Sequence, residues 1–369
     1  MSRTRGATPY GAAPGRLEGR APGGRHWPRR DRLCRMPAMP NPGQPHRIEL
    51  HRHLDGSIPV DLMYRLLEEN DVHPMPSREE FRSMVVAPEH PRTLLEYLDR
   101  FHYPLWVTQF YENIETVTEA IVAQAAAEGA VALELRYAPT IHMFAGLTMR
   151  QAVRAVLDGL NAGQRTYGVR CGLILIAMRQ QGPHIAKIVA RQAIADAQQF
   201  HEGVGVIGLD IAGPEHGFPP RLFREAYRLA AAVGLGLTAH AGESGGPEYV
   251  WQAIDELGVT RVGHGYAAVR DKALVRRLAR DQICLEVCYT SSIQTGSATA
   301  EAHPVLEFLE AGVPIAVCCD NTTVSNTSLP EEERRLAALG LPADAFGAIH
   351  AAARHRFSFL RDGLPGRST

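Results

Sequence analysis

The chain contains 369 residues, of which 45% are hydrophobic and 21% are charged. This composition is typical of a globular protein with one large domain or two small ones. The formal net charge of -1 gives no overall positive potential that would attract nucleic acid. No apolar stretch has the length of a membrane span or the form of a secretory signal. We therefore expect a cytoplasmic protein without nucleic-acid or membrane partners, whose six cysteines are reduced thiols.

The first 45 residues differ in composition from the rest of the chain. Residues 1–35 contain nine arginines against two acidic residues, Glu18 and Asp31, and the whole segment 1–45 is rich in arginine, glycine and proline. A segment with so little apolar material cannot bury a core, so the sequence predicts a disordered extension. Residues 46–369 are expected to form one folded domain.

A strand pattern opens the folded region at Arg47 and carries two histidines. Because side chains alternate along a strand, His51 and His53 are expected on the same face, where both could bind one metal ion. A His-x-His pair alone is weak evidence, since surface strands often carry one. Asp55 and Gly56 indicate the end of this strand. Residues 58–130 then repeat apolar positions at helical spacing, and these helices either cap a pocket or only pack on the outside.

From residue 131 onward, apolar strand patterns alternate with helical patterns. The predicted strands are Val131–Leu135, Leu173–Ala177, Val206–Ala212, Leu235–Ala239, Arg261–Gly263, Ile283–Val287 and Ile315–Cys319. The predicted helices between them are Thr148–Leu160, Ile185–Gln199, Pro220–Val233, Pro247–Leu257, Asp271–Arg280 and Pro304–Glu310. With the histidine-bearing strand this makes eight strands alternating with helices. The pattern predicts an α/β fold, a (β/α)8 TIM barrel with extra helices after strand 1 and at the C-terminus.

Polar residues collect where these predicted strands end. In a (β/α)8 barrel the active site forms at the carboxyl ends of the strands, so side chains at those ends are expected to meet. They are His51, His53 and Asp55 after the first strand, Asp210 to Gly213 at the fourth, His240 and Glu243 at the fifth, His264 at the sixth, and Asp320 with Asn321 at the eighth. Histidines and carboxylates gathered at one rim predict an active site there.

Three histidines and one aspartate suit a single divalent metal ion. Imidazole together with carboxylate favours zinc, with iron, manganese and cobalt as alternatives. The predicted ligands are His51, His53, His240 and Asp320. A catalytic site of this kind keeps a position for water, whose pKa the metal lowers. Glu243 and His264 are then left for acid–base and orienting roles, although His264 could instead be a fifth ligand or a structural histidine.

Six short motifs follow one another in this strand context. They are Glu49-Leu50-His51-Arg52-His53-Leu54-Asp55-Gly56, Ala212-Gly213, His240-Ala241-Gly242-Glu243, Arg261-Val262-Gly263-His264-Gly265, Glu286-Val287-Cys288-Tyr289-Thr290-Ser291-Ser292 and Asp320-Asn321. Each motif is short, but their order and their placement at strand ends are specific. Over residues 46–360 the chain resembles the adenosine deaminase family of the amidohydrolase superfamily.

The resemblance implies hydrolytic deamination of adenosine, with one Zn2+ per chain, to give inosine and ammonia. It implies that an activated water attacks C6 of the purine and that Glu243 protonates N1, which requires a protonated carboxyl group. His264 is implied to orient the water and to stabilise the developing charge. Asp320 is implied to bind the metal and to accept the proton of the water.

The resemblance also implies the contacts that bind the nucleoside. Gly213 would offer its backbone N–H to N3 of the purine, Asn321 would contact N7, and Asp55 would accept a hydrogen bond from the ribose 5'-hydroxyl. His53, already a predicted metal ligand, is expected to line the same pocket. Adenine deaminases of the superfamily typically carry glutamate where this chain has Asp55, so the shorter side chain favours a nucleoside over the free base.

Several features separate this chain from its competitors and from its relatives. No lysine ends the third or fourth strand, as two-metal hydrolases on this barrel usually require, and no Pro-Cys dipeptide occurs, as deaminases of the cytidine type require. Asn321 stands where many relatives have a second aspartate. The alternatives to adenosine and deoxyadenosine are another adenine nucleoside such as aminodeoxyfutalosine, free adenine, or a ligand-binding relative without catalysis.

Overall fold

Parallel strands form the centre of the computed structural model, which describes residues 46–71, 76–89, 94–200 and 203–360. The strands are β1 (Arg47–His53), β2 (Ala130–Tyr137), β3 (Arg170–Met178), β4 (Val206–Ala212), β5 (Gly236–Leu237), β6 (His240–Ala241), β7 (Arg261–His264), β8 (Cys284–Val287) and β9 (Ile315–Val317). Strands β1 to β5 pair in that order, as do β6 to β9, and every pairing is parallel. The predicted extension, residues 1–45, lies outside the described residues.

The fifth barrel strand is divided into β5 and β6, which gives nine segments where the sequence predicts eight strands. Its backbone nevertheless joins both neighbours. Thr238 donates its N–H to the carbonyl of Leu209 on β4, and Gly263 on β7 donates its N–H to the carbonyl of Ala239. The order of the eight strand positions around the barrel is therefore unchanged.

The barrel closes where the first strand meets the last. Arg52 and Asp320 form a parallel bridge at this junction. His53 donates its N–H to the carbonyl of Asp320 at 2.7 Å, and Asp320 donates its N–H to the carbonyl of His51 at 2.8 Å. The predicted (β/α)8 barrel is confirmed, and its closing hydrogen bonds lie among the predicted metal ligands.

Helices surround the strands and follow the predicted alternation. They are α1 (Val60–Glu69), α2 (Arg78–Val85), α3 (Leu94–Leu98), α4 (His102–Val107), α5 (Tyr111–Ala127), α6 (Met149–Tyr167), α7 (Gly182–Ala195), α8 (Arg224–Ala232), α9 (Pro247–Leu257), α10 (Lys272–Asp281), α11 (Tyr289–Thr295), α12 (Val305–Glu310), α13 (Leu329–Ala338) and α14 (Ala345–Ala352). Local signals set several ends. Thr148 and Gln151 form a capping box before α6, and α9 starts at Pro247 and ends before Gly258, whose φ is 68°.

The segment 357–360 closes the amino-terminal end of the barrel. The Phe359 ring lies 3.7 Å from the guanidinium carbon of Arg261, and it packs so tightly on Gly236 that a Cβ there would lie 2.1 Å from the ring. Arg261 is fully buried and pairs with Glu134 at 2.7 Å and with Glu286 at 2.8 Å. The barrel interior at this end is therefore charged, and its charges are matched.

The cysteines of the described residues lie in the interior as free thiols. Cys171, Cys284, Cys288, Cys318 and Cys319 are buried and free, while Cys34 lies outside the described residues. None of the helices in the described part of the chain combines the length and the apolar character needed to cross a bilayer.

We expect Arg261→Met to destabilise the fold by about 3–5 kcal/mol, because it leaves the buried carboxylates of Glu134 and Glu286 without their shared cation. The control is Arg280→Met, which removes an exposed arginine paired with Asp281 and should cost less than about 1 kcal/mol. Urea unfolding followed by circular dichroism measures both changes. Equal losses in the two variants would contradict the assignment.

Candidate active site

The two histidines of β1 meet at the carboxyl end of the barrel. The pairing of β1 with β2 shifts register between Glu49 and Arg52, an irregularity of the kind often found beside active sites. The Nε2 atoms of His51 and His53 lie 3.2 Å apart. Arg52, which stands between them in sequence, is fully buried and pairs with Glu128 at 2.5 Å. Strand alternation thus sends the two imidazoles to one site and the guanidinium elsewhere.

His240 and Asp320 complete a group of four potential ligands. His240 Nε2 lies 3.2 Å from His53 Nε2, and Asp320 Oδ1 lies 3.3 Å from His53 Nε2 and 3.6 Å from His51 Nε2. One ligand atom from each of the four residues lies within 4.8 Å of all the others. The predicted ligand residues therefore come together, although they come from three separate barrel positions.

The hydrogen bonds behind the histidines make the group suitable for a cation. His51 Nδ1 bonds Glu286 at 2.7 Å, and His240 Nδ1 pairs with Asp210 at 3.0 Å. A carboxylate at Nδ1 fixes the proton there and leaves the Nε2 lone pair facing the centre of the group. Burial and the charge of Arg136 lower the pKa of His51 well below its usual range, which keeps that ring neutral. Converging lone pairs and a carboxylate oxygen fit a divalent metal ion.

Arg136 holds the two carboxylates that orient the histidines. It is fully buried on β2 and donates to Asp210 and to Glu286, each at 2.9 Å. The same guanidinium donates to the carbonyl of Leu50. A single cation thus connects the partners of His51 and His240 from beneath. Sequence reasoning assigned no role to Arg136 or Glu286; charged residues inside otherwise apolar strands are the signal that could have marked them.

Glu243 and His264 lie beside the four-residue group. Glu243 Oε2 is 3.7 Å from His264 Nε2. Burial, reinforced by the charge of Glu215, raises the pKa of Glu243 to about 7, while the nearby His240 acts in the opposite direction. Burial lowers the pKa of His264 to about 4, so its ring is neutral at pH 7. A carboxyl group that keeps its proton near neutrality, next to a neutral imidazole, can donate a proton to a bound base.

Two residues at this rim have strained backbones. His264 has φ 66° and Asp320 has φ 62°. These values lie in the left-handed region, which residues other than glycine rarely adopt. Such strain persists only where surrounding structure enforces it, and it is concentrated at functional sites. Gly263 contributes by allowing close approach, since a Cβ there would lie 3.0 Å from Cε1 of His51.

The predicted substrate-binding residues border the same region. Gly213, with φ 95°, follows β4 directly, and a Cβ there would lie 2.6 Å from Gln180 Oε1. Asn321 is buried and donates from Nδ2 to the Tyr97 hydroxyl at 3.1 Å, a contact that sequence reasoning missed. Burial raises the pKa of Asp55 to about 6. Asp55 is therefore largely ionised at pH 7 and above and can accept a hydrogen bond.

The chain matches a known protein family over most of its length. The family model described as adenosine deaminase matches residues 46–361. The chain belongs to the adenosine deaminase family. It is accordingly a hydrolase acting on C–N bonds, from a metal-dependent family, and its four-residue group is a potential metal site.

Individual relatives agree with membership of the adenosine deaminase family. An adenosine deaminase from Enterococcus faecalis is 38% identical over 294 residues, which cover 79% of this chain and 85% of that protein. Among solved structures, an N6-methyl-AMP deaminase from Arabidopsis thaliana is 27% identical with a TM-score of 0.73, covering 86% of this chain and 93% of that one. An adenine deaminase from Arthrobacter aurescens is 28% identical with a TM-score of 0.69, covering 83% and 97%.

We expect His240→Ala to abolish binding of one divalent metal ion per chain, because it removes one of four converging ligands. Asp210→Asn should weaken metal binding by about 10–100-fold, since it disturbs the group that orients His240. The control is His102→Ala, an exposed histidine on α4. Metal content after dialysis against a competing chelator distinguishes the variants. Full metal retention in His240→Ala would remove that residue from the ligand set.

Proposed function

We propose that this protein is a zinc-dependent adenosine deaminase, which converts adenosine and 2'-deoxyadenosine to inosine or deoxyinosine and ammonia. The observation that carries the proposal is the position of Glu243, a carboxyl group with a raised pKa, beside the four converging ligands. The adenosine deaminases among the relatives, at 35–38% identity over most of the chain, supply the substrate class. Purine salvage in the cytoplasm is the proposed setting, with a purine nucleoside as the small-molecule partner and no nucleic-acid or membrane partner.

Zinc is the proposed metal because of the donor set. His51, His53 and His240 offer nitrogen atoms and Asp320 offers an oxygen, a combination that Zn2+ binds readily. An amidohydrolase from Burkholderia ambifaria, 25% identical with a TM-score of 0.72 and covering 84% of this chain and 88% of that one, was solved with bound Zn. When bound, such an ion lowers the pKa of water toward neutrality and so makes a nucleophile available.

The chain's own residues then move protons at defined atoms. Glu243 donates its proton to N1 of the purine, which makes C6 electrophilic. Asp320 accepts a proton from the attacking water, and His264 orients that water and stabilises the charge that develops during attack. The water oxygen forms a bond to C6 as its first proton passes to Asp320. The exocyclic nitrogen takes up that proton, its bond to C6 breaks, and it leaves as ammonia. The remaining hydroxyl proton returns to the Glu243 carboxylate as C6 becomes a carbonyl. Adenosine and water thus give inosine and ammonia.

Substrate binding is assigned to the rim. The Gly213 N–H is proposed to bind N3, Asn321 to bind N7, and His53 to line the pocket. Asp55, ionised at neutral pH and above, is proposed to accept a hydrogen bond from the ribose 5'-hydroxyl. The last contact separates nucleosides from the free base, and it allows other adenine nucleosides, such as aminodeoxyfutalosine, only if the 5' substituent leaves room.

Free adenine is the second candidate substrate. The observation that favours it is the adenine deaminase from Arthrobacter aurescens, whose fold the chain shares over most of its length. Steady-state rates with adenosine, deoxyadenosine, adenine and a 5'-substituted adenosine, followed by ultraviolet absorbance, separate the candidates. A higher kcat/KM for adenine than for adenosine would replace the proposed substrate, and no turnover of any of the four would end the proposal.

Glu243→Gln should retain its metal but lose kcat by about 10²–10⁴-fold, because the amide cannot deliver a proton to N1. In the wild type, kcat/KM for adenosine should be highest between about pH 6 and pH 7. It should fall as pH rises through about 7, where Glu243 loses its proton, and fall as pH drops below about 6, where Asp55 gains one. The control is Glu248→Gln, an exposed glutamate on α9. A near-normal rate in Glu243→Gln would assign the proton donor elsewhere.

Asp55→Ala should lower kcat/KM for adenosine by the equivalent of about 1.5–3 kcal/mol, the worth of a hydrogen bond to a charged group. The effect on adenine should be small, since adenine has no ribose. The matched control is Asp61→Ala, whose side chain is 96% exposed only six positions away. Equal losses with adenosine and adenine would argue against a ribose contact.

A further inference from the structure

Glu215 is a buried carboxylate that lies beside the active-site rim. It follows β4 by three residues and is 2% exposed. It accepts hydrogen bonds from the backbone N–H groups of four consecutive residues, Gly242, Glu243, Ser244 and Gly245, at 2.7, 3.1, 2.7 and 2.6 Å. The Ser244 hydroxyl adds a fifth hydrogen bond at 3.3 Å. These four residues form the turn that carries Glu243, and we call residues 242–245 the acid turn.

The geometry of the acid turn explains why it needs an anion. Gly242 has φ 69°, and a Cβ there would lie 2.6 Å from Cγ2 of Val250, so this position requires glycine. Successive N–H groups in such a conformation point to one side and form a concave anion site. The Glu215 carboxylate occupies this site, with Oε1 accepting from Gly242 and Oε2 from the three residues that follow.

An opposite charge holds the chain just before the acid turn. Arg179 is fully buried and donates from Nη2 to the carbonyl of His240 and from Nη1 to the carbonyl of Phe218. The backbone between the predicted ligand and the predicted proton donor is therefore held by a cation at its carbonyl side and an anion at its N–H side. Two buried charges are a costly way to shape a surface turn, which indicates a role beyond stability.

We propose that Glu215 is a positioning residue for the deamination reaction, acting through Glu243. By binding the backbone on both sides of Glu243, it sets the direction of that side chain toward His264 and the base. The inference rests on the proposed function, since it takes Glu243 as the proton donor. Separately, the charge of Glu215 adds to burial in raising the pKa of Glu243, which favours the protonated form that the reaction needs.

The test is a double-mutant cycle between Glu215→Gln and Glu243→Gln. The glutamine keeps the size of Glu215 but replaces one acceptor oxygen with a donor that opposes the N–H groups. We expect kcat to fall by about 10–100-fold, as for a small displacement of a catalytic group, with KM within about threefold and metal content unchanged. In the Glu243→Gln background the second change should have almost no further effect on kcat, because residues acting through one group are not additive.

A purely structural Glu215 gives a different result. Its replacement would then multiply the loss in the Glu243→Gln background, or would lower metal content and raise KM together, and either result overturns the inference. The control Glu225→Gln changes an exposed glutamate on α8 and should match the wild type. If the wild type itself shows no turnover of adenosine, the proposed function fails; normal kcat in Glu215→Gln, with an active wild type, defeats only this inference.

A second variant keeps the test decisive if Glu215→Gln does not fold. Glu215→Asp retains the charge but shortens the side chain by one methylene, so it cannot reach all of the acid turn at its present distances. We expect kcat to fall, with the same lack of further loss in the Glu243→Gln background. An unchanged kcat in a folded Glu215→Asp variant would overturn the role of Glu215.

Discussion

The interaction on which this structure depends is the buried bridge that Arg136 makes between Asp210 and Glu286. The two carboxylates orient His240 and His51, so one guanidinium sets the relative position of two imidazoles that come from opposite parts of the chain. Removing the cation would leave the buried Asp210 without an arginine partner and Glu286 with Arg261 alone, at a cost of several kcal/mol. The charge at the centre of the barrel therefore sets the geometry of the potential metal site.

Buried opposite charges also occur at the carboxyl end of the barrel, the rim, and at its amino-terminal end, the base. At the rim, two buried and opposite charges hold the backbone that carries Glu243. Arg179 donates to a backbone carbonyl, and Glu215 accepts from backbone N–H groups. At the base, Arg261 pairs with Glu134 and also with Glu286, the partner of His51. The charged interior thus continues from the amino-terminal end of the barrel to the potential metal site, and packing alone does not explain it.

Sequence reasoning predicted the barrel and the group of ligands because both depend on local patterns. Strand and helix periods are read along the chain, and a histidine at the end of a strand must lie at the rim. The ion pairs were not predictable in the same way. Arg136, Glu286 and Glu134 lie in apolar strands, but their partners depend on the register between strands far apart in sequence. Glu215 and Tyr97 were missed for a related reason, since each acts on a neighbour supplied by another loop.

The segment 357–360, which covers the base of the barrel, is synthesised after all of the barrel strands. Phe359 covers Arg261 and Gly236, so these late residues complete the burial of the ion pairs at this end of the barrel. A chain still emerging from the ribosome has His51 and His53 long before it has Asp320 or this cover. Contacts between residues so distant in sequence carry a loop-closure cost that slows folding. The four potential ligands can therefore meet only after Asp320 has been synthesised and the two ends of the folded region have come together.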